Sequence, residues 1–347
     1  MDFIAVAIDD GGHTHIAASD YSGIHYFTDA TGDWLRTDLT ETPAGGSDID
    51  PDIAVDSSGT VAIAFTRWTT WDYCVDLCED PVTPVLDGVY YMTTQDNLWS
   101  TPERVVAAAQ APLIAFADSS LHLVTQTAER MAWSTLAEGG WLTLPVGDEE
   151  SSATALVVNN NSVPRVVYRH AGGVELMELA SSGVTYGIAV PQTQDAEWPR
   201  LAFDQLNRPH VMYGLYDSIS ESSQAWHTLM REDGTWSEST PLGLPSASAV
   251  AIDDHDTIHV VYLAIVEEYD LEDDSYWRWE EVWYASVEGD AAAAVRLDRS
   301  DSYEFGSTGV TTMALDSGGR PHVVFSANGL DFEGRGLFYA LGPADDK

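Results

Sequence analysis

An all-β, seven-bladed β-propeller is what this 347-residue sequence predicts, on three grounds. One motif recurs seven times at a mean step of about 51 residues, near the period of propeller blades. Each copy reads as two β-hairpins, so most blades carry four antiparallel strands. No segment of helical period competes with this pattern. The blades are expected at approximately 4–41, 51–106, 111–147, 153–191, 199–243, 248–298 and 311–345 of one domain spanning 1–347.

The first hairpin of each blade is an apolar run, an Asp, a short polar turn, then a His and an apolar–aromatic run. It reads AIDDGGHTHIAA from Ala7, AVDSSGTVAIAF from Ala54, AFDQLNRPHVMY from Ala202, AIDDHDTIHVVY from Ala251 and ALDSGGRPHVVF from Ala314. IAFADSSLHLVT from Ile114 and VVNNNSVPRVVY from Val157 are weaker copies. The anchoring acids are Asp9, Asp56, Asp204, Asp253 and Asp316, with Asn159 in the fourth copy and a shortened turn around Asp118 in the third. Asp, Ser and Gly in these turns supply the backbone conformations that a tight reversal needs.

The second hairpin opens with GIHYFTD from Gly23, GVYYMTT from Gly88, RMAWSTL from Arg130, GVELMEL from Gly173, QAWHTLM from Gln224, EVWYASV from Glu281 and GLFYALG from Gly336. A Trp often precedes its return strand: Trp34, Trp99, Trp141 and Trp236. These indoles are expected to pack between blades rather than to stack on sugar. After GLFYALG only PADDK remains, so the last blade is expected to have three strands or to belong to a longer precursor.

The pairing of IAVDSSGTVAIAF with GVYYMTTQDNLWSTPERV resembles the BNR-repeat, sialidase-like β-propellers of secreted bacterial proteins. The resemblance covers nearly the whole chain and implies the fold. The sialidase Asp-box, Ser-x-Asp-x-Gly-x-Thr-Trp, is not intact; ATGDWLR from Ala30 and EDGTWSE from Glu232 come nearest. The family's Arg triad, Tyr–Glu pair and Asp do not map onto this chain residue by residue, so no catalytic residue is carried over. Its non-enzymatic members, propeller lectins among them, fit the regular repeat better.

Charge narrows the function. Against 15 Lys+Arg stand 56 Asp+Glu, a net charge of −41, and Lys347 is the one lysine. Nucleic-acid binding is excluded, because phosphate neutralisation needs Lys and Arg. Adhesion to anionic membranes is disfavoured for the same reason. No apolar run is long enough for a membrane-spanning helix. Two readings of the acidity remain open. One is halophilic adaptation; the other is an acidic secreted protein that binds Ca²⁺ or a cationic partner. Cys74 and Cys78 suit a disulfide within a loop, which implies a secreted or cell-surface protein.

The fold implies that loops between second and third strands, and between blades, lie on the top face. His15, His122, His210, His259 and His322 then start second strands at the bottom, with Ala62 and Arg165 in the other two blades. A ring of metal sites is one reading. The preferred one ties each His to the repeated Asp of its own blade, since a residue repeated in most blades serves the blade. Long top loops are expected at Thr66–Asp87, Leu215–Ser223, Ala264–Glu280 and Asp298–Gly309. Their acids, Asp270, Asp273 and Asp274 above all, are candidates for Ca²⁺. Arg67, Arg130, Arg335 and Trp71 are candidate ligand-binding residues.

Tyr168, Arg169, His170 and Arg200 are expected to form a basic pocket for a carboxylated sugar, with Arg gripping the carboxylate and His or Tyr moving a proton. That is the enzyme reading, a lyase or hydrolase of anionic polysaccharide. The leading reading is a non-catalytic module that binds a glycan or protein on its top face. A structural module of a larger surface protein is the third. Fold alone does not choose among them.

Overall fold

The computed structural model describes residues 3–20, 22–41, 46–70, 84–95, 98–137, 139–180, 183–217, 222–270, 275–288, 291–297, 311–328 and 335–342. Seven antiparallel sheets follow one another along the chain, and the fold is a seven-bladed β-propeller. The first sheet is β1 (Phe3–Ile8), β2 (Thr14–Asp20), β3 (Gly23–Thr28) and β4 (Leu35–Asp38). The second is β5 (Ser47–Val55), β6 (Val61–Thr70) and β7 (Val85–Gln95), with β8 (Leu98–Trp99) and β9 (Glu103–Ala107) both on β7. The third is β10 (Ala109–Ala117), β11 (Ser120–Thr127), β12 (Met131–Ala137) and β13 (Gly140–Val146). The fourth is β14 (Ser152–Val158), β15 (Pro164–His170), β16 (Gly173–Ala180) and β17 (Gly183–Ala189). The fifth is β18 (Glu197–Phe203), β19 (Pro209–Asp217), β20 (Ser222–Leu229) and β21 (Thr240–Pro245). The sixth is β22 (Ala247–Ile252), β23 (Ile258–Asp270), β24 (Ser275–Glu288) and β25 (Ala291–Arg296). The last has three strands among the described residues, β26 (Thr311–Leu315), β27 (Pro321–Asn328) and β28 (Arg335–Leu341). The N-terminal strand β1 belongs to the first sheet, paired with β2. No helix of the described residues is long and apolar enough to cross a membrane.

Chain contacts gather into two compact units. One comprises Asp2–Ala171 and Leu176–Ile188; the other, Gly172–Glu175 and Ala189–Lys347. Each has its own apolar clusters between successive sheets. In the first unit Ile24, Ile63, Phe65 and Met92 pack together, as do Val89, Ile114, Leu121 and Leu123. In the second, Met212, Val260 and Ala285 form one cluster, and Val261, Tyr284, Val323 and Phe325 another. Two of the four Trp pack across successive sheets of the first unit. Trp99 meets the Tyr26 ring edge-on at 5.0 Å, and Trp141 meets Tyr91 at 4.9 Å.

The repeated Asp explains the first hairpin. Its carboxylate accepts the backbone N–H four residues on, at 2.8–2.9 Å from Asp9, Asp56, Asp204, Asp253 and Asp316. Asn159 takes the same bond through its amide oxygen at 3.0 Å. The third residue of each turn must then adopt positive φ: Gly12, Gly59, Ser162, Asn207, Asp256 and Gly319 lie between +57° and +82°. Gly and Asn tolerate that region best. The third sheet differs, because Asp118 at φ +52° and Ser119 alone make a two-residue turn there.

The second hairpin depends on a different glycine. Gly23 opens β3 at φ +134°, and a Cβ there would lie 2.5 Å from the Thr40 carbonyl oxygen. The Thr40 hydroxyl in turn accepts the Ile24 N–H at 3.0 Å, which locks the end of the sheet. Gly173 and Thr193 repeat this arrangement, with Val174 N–H donating to the Thr193 hydroxyl at 2.9 Å.

Ala264–Glu280, expected as a long acidic loop, is mostly hairpin: β23 continues to Asp270 and β24 begins at Ser275. Its acids are interspersed with Ile265, Tyr269, Tyr276, Trp277 and Trp279, residue types that favour strands, and the acidic composition masked them. Strands also run into the edges of the expected loops at Thr66–Asp87 and Leu215–Ser223.

The natural Asn159 makes a prediction. Asp56 faces Ala62 where most blades have His, so Asp56→Asn should change stability by about 0.5 kcal/mol or less. Asp253→Ala removes the acceptor of two turn amides, one of them buried, and should cost about 2–4 kcal/mol. Denaturant unfolding of the two variants checks this, and equal losses would contradict it.

Candidate functional site

Each repeated His is buried and bonded at Nδ1 to a side chain of the third strand. Nε2 faces the turn Asp at 3.3–3.4 Å in His15, His210, His259 and His322. A carboxylate on Nε2 sets the Nε2–H tautomer and leaves Nδ1 as an acceptor. The Nδ1 partner comes from the third strand of the same sheet. Tyr26, Tyr284 and Tyr339 supply hydroxyls at 2.6–2.7 Å. Trp133 Nε1–H donates to His122 at 3.2 Å, and the His227 ring meets His210 at 3.0 Å. Burial lowers the pKa of His15, His122 and His210, and takes His227 down to about 4 with help from its neighbour His210. Burial alone would raise the turn carboxyls, but amide and His hydrogen bonds outweigh it, so Asp9, Asp204, Asp253 and Asp316 lie below the usual range. Burial thus favours the neutral imidazole at His15, His122, His210 and His227. The third-strand partner could have been found in the sequence: the fourth residue of that motif is Tyr, Trp or His in every blade that has the His.

Among the described residues one group has metal-ligand spacing, Asp253, Asp254 and His255. The turn accounts for it. Asp253 Oδ1 takes the His255 and Thr257 amides, and Oδ2 faces His259. Asp273, Asp274, Trp71, Cys74 and Cys78 lie outside the described residues, as do the side chains of Asp270 and Arg335.

The expected binding arginines have local roles. Arg67 grips Asp48, which is fully buried, through two bonds of 2.6 and 2.7 Å, and its guanidinium lies over Tyr90 at 4.6 Å. Arg130 closes a turn in which its N–H donates to the Thr127 hydroxyl. Tyr168 is core, packed with Val124, Met131 and Trp133; the His170 ring is 6.1 Å from it, and Arg169 is exposed on the same strand. Those three residues lie in the first compact unit and Arg200 in the second. Arg200 donates from Nε to the Ser248 carbonyl at 2.8 Å and from Nη1 to that of Pro199 at 3.3 Å. Burial lowers its pKa.

Sequence reasoning passed over the inner-strand bulges. β5, β10 and β18 each shift register at a residue of positive φ that precedes a proline: Asp50 (+51°), Ala111 (+50°) and Trp198 (+43°). Proline suits a bulge because no ladder N–H is required there. Asp52, next after Pro51, accepts the Ile114 N–H of the following sheet at 2.7 Å. Burial pushes both Asp50 and Asp52 up to about 6.

The second unit contains a cleft of about 480 Å³ lined by Gly172, Val190, Gln192, Thr193, Gln194, Asp195 and Leu215. By strand alternation these segments share one end of their sheets: the turn before β16, the link from β17 to β18, and the end of β19. Thr193 fixes the link. It is buried, its hydroxyl donates to the Val190 carbonyl at 2.7 Å, and its carbonyl accepts the Ala196 N–H at 3.1 Å. Gln192 adopts φ +62°, and Gln192, Gln194 and Asp195 are left exposed. Trp198 follows, 53% exposed, and Tyr216 beside Leu215 is 59% exposed.

No family model and no curated protein matches the chain. Several solved structures do. A polysaccharide lyase of family PL25, an ulvan lyase bound to -[GlcA(1-4)Rha3S]-, is 11% identical with TM-score 0.60, covering 97% of this chain and 91% of its own. A neuraminidase-like protein from A/bat/Guatemala/164/2009 is 9% identical with TM-score 0.53, covering 86% and 88%. A chain of a mitotic checkpoint complex is 10% identical with TM-score 0.59, covering 99% and 87%. At these identities the likeness is one of fold, a sialidase-like propeller.

Asp52 yields a prediction with a defined sign. A folded pKa of about 6 against an unfolded 3.8 means that the fold holds a proton which the unfolded chain has lost. Its stability contribution is complete below pH 4 and disappears as pH rises through 6. Asp52→Asn should therefore gain about 3 kcal/mol on the native chain at pH 7.5 and none below pH 4. Thermal or denaturant unfolding across that range checks it; a difference independent of pH would refute the assignment.

Proposed function

We propose that this chain is a non-catalytic, extracellular binding module that takes a glycan or protein ligand in the cleft between Gly172 and Leu215. The supporting observation is the lining of that cleft. Among the described residues it holds one carboxylate, Asp195, and no second titratable side chain. General acid–base chemistry needs a positioned proton donor or acceptor matched to its task, and glycoside cleavage ordinarily uses two carboxyl groups. The repeated His are committed to Asp and to third-strand partners within their own sheets. A concave surface with a few placed polar groups and some apolar lining suits recognition.

One observation favours a lyase or hydrolase of anionic polysaccharide instead. The two hydrogen bonds of the Arg200 guanidinium given above end on carbonyl oxygens, so its charge meets no carboxylate through them. The two readings part on turnover. Incubated with uronate-containing and neutral polysaccharides, the protein should retain ligand and release no new reducing ends and no unsaturated uronate. Turnover that disappears in Arg200→Ala would sink the binding-module reading.

A further inference from the structure

Trp198 sits where the fold does not ask for tryptophan. The bulge at the head of β18 dictates positive φ, and β5 and β10 meet the same demand with Asp50 and Ala111. A bulky residue at positive φ is an outlier, and holding it there costs about 1–3 kcal/mol. Burial returns little of that, since the side chain is 53% exposed. An indole that neither the backbone nor the core requires has a face turned to something else.

That indole lies on β18, three residues beyond Asp195, where the chain leaves the link that lines the cleft. Thr193 holds this segment in one conformation, so Gln192, Gln194 and Asp195 are pre-organised. Preorganised side chains lose less entropy on binding. Two carboxamides and one carboxylate offer both donors and acceptors, the pattern that vicinal hydroxyls answer. Among the described residues no cation lines the cleft, and the chain carries −41 overall. A uronate or sulfate would enter against that field and find no guanidinium to meet it.

We infer that the cleft binds an uncharged carbohydrate, with Gln192, Gln194 and Asp195 on its hydroxyls and Trp198 against the apolar face of a sugar ring. This rests on the binding-module reading and assigns its ligand class. It also separates the chain from the ulvan lyase of the same fold, whose bound glycan carries uronate and sulfate.

The test is calorimetric titration of the folded protein with neutral hexose oligosaccharides, with uronate and sulfated oligosaccharides, and with a lysine-rich peptide. Saturable binding of a neutral oligosaccharide is expected. Trp198→Ala and Gln194→Ala should each weaken it about tenfold, corresponding to about 1.4 kcal/mol. Trp198→Phe keeps an aromatic face and should retain most affinity, while Trp34→Ala, an exposed indole of the other unit, should leave it unchanged. Unfolding curves matching the native chain confirm that each variant is folded. Binding restricted to uronates, sulfates or the peptide would overturn the ligand class and leave the binding-module reading standing. Neutral binding unmoved by the Trp198 and Gln194 variants would overturn the site. No binding to any probe would overturn the class and remove glycan recognition from the function, whereas turnover would overturn the module reading itself.

Discussion

A carboxylate that accepts backbone amides holds this fold together. In five first hairpins one Asp oxygen takes the N–H four residues on, which closes the turn and places a left-handed residue at its third position. In four sheets the second oxygen faces the first ring of a buried chain, Asp to His to a third-strand partner. One acid thus ties three strands of a sheet together. Charged hydrogen bonds of this kind contribute about 1.5–3 kcal/mol each. Asn159 shows which half of the job needs no charge: the turn survives with an amide, in a sheet whose second strand has Arg165 in place of His and pairs it with Glu178.

The same residue type behaves oppositely on the inner strands. Turn acids gain enough hydrogen bonds to stay charged at low pH, whereas burial prevails at Asp50 and, despite the Ile114 and Ile53 amides, at Asp52, and both rise to about 6. Position decides the direction, because desolvation and hydrogen bonding oppose each other at every buried carboxyl. Asp52 and Arg200 occupy equivalent places, each following a bulge proline, and both reach the backbone of the next sheet. The acid finds the N–H of Ile114; the guanidinium finds the carbonyl of Ser248. A backbone offers donors and acceptors alike, so residues of opposite charge do the same bridging. Arg200 therefore has a structural use before any catalytic one.

Local chemistry was legible in the sequence and long-range geometry was not. The repeat, the turn acids and the His positions could be read, because an Asx turn and its left-handed residue are written within five consecutive residues. The hairpin across 264–280 was obscured, since its acids suggested a loop while its aromatic and β-branched residues favoured strands. The partners of the His lay in plain view but on another strand, and only the coincidence of Tyr26, Trp133, His227, Tyr284 and Tyr339 with a His in the same blade reveals them. The cleft could not be read at all. It depends on how Thr193 folds the link between β17 and β18, and Gln192, Gln194 and Asp195 carry no motif. Tyr168, Arg169, His170 and Arg200 drew attention for their chemistry, yet the Tyr168 ring belongs to a core cluster and the Arg200 guanidinium to a backbone bridge.

Repetition itself separates scaffold from site in this chain. A feature that recurs, such as the Asp turn, the His chain or the inner bulge, is accounted for by the blade that needs it. Function is to be sought where the repeated frame is kept and its occupant changes without a packing reason. Arg67 fails that criterion, because Asp48 and Tyr90 explain it fully. Asp50 and Ala111 fail it as well, being small residues on a backbone that tolerates them. Trp198 meets it: the bulge is the same, the side chain is large and exposed, and the loop before it is pinned open by Thr193. A propeller can vary one blade in this way without disturbing the others, since the hydrogen bonds that close each first hairpin lie within its own sheet.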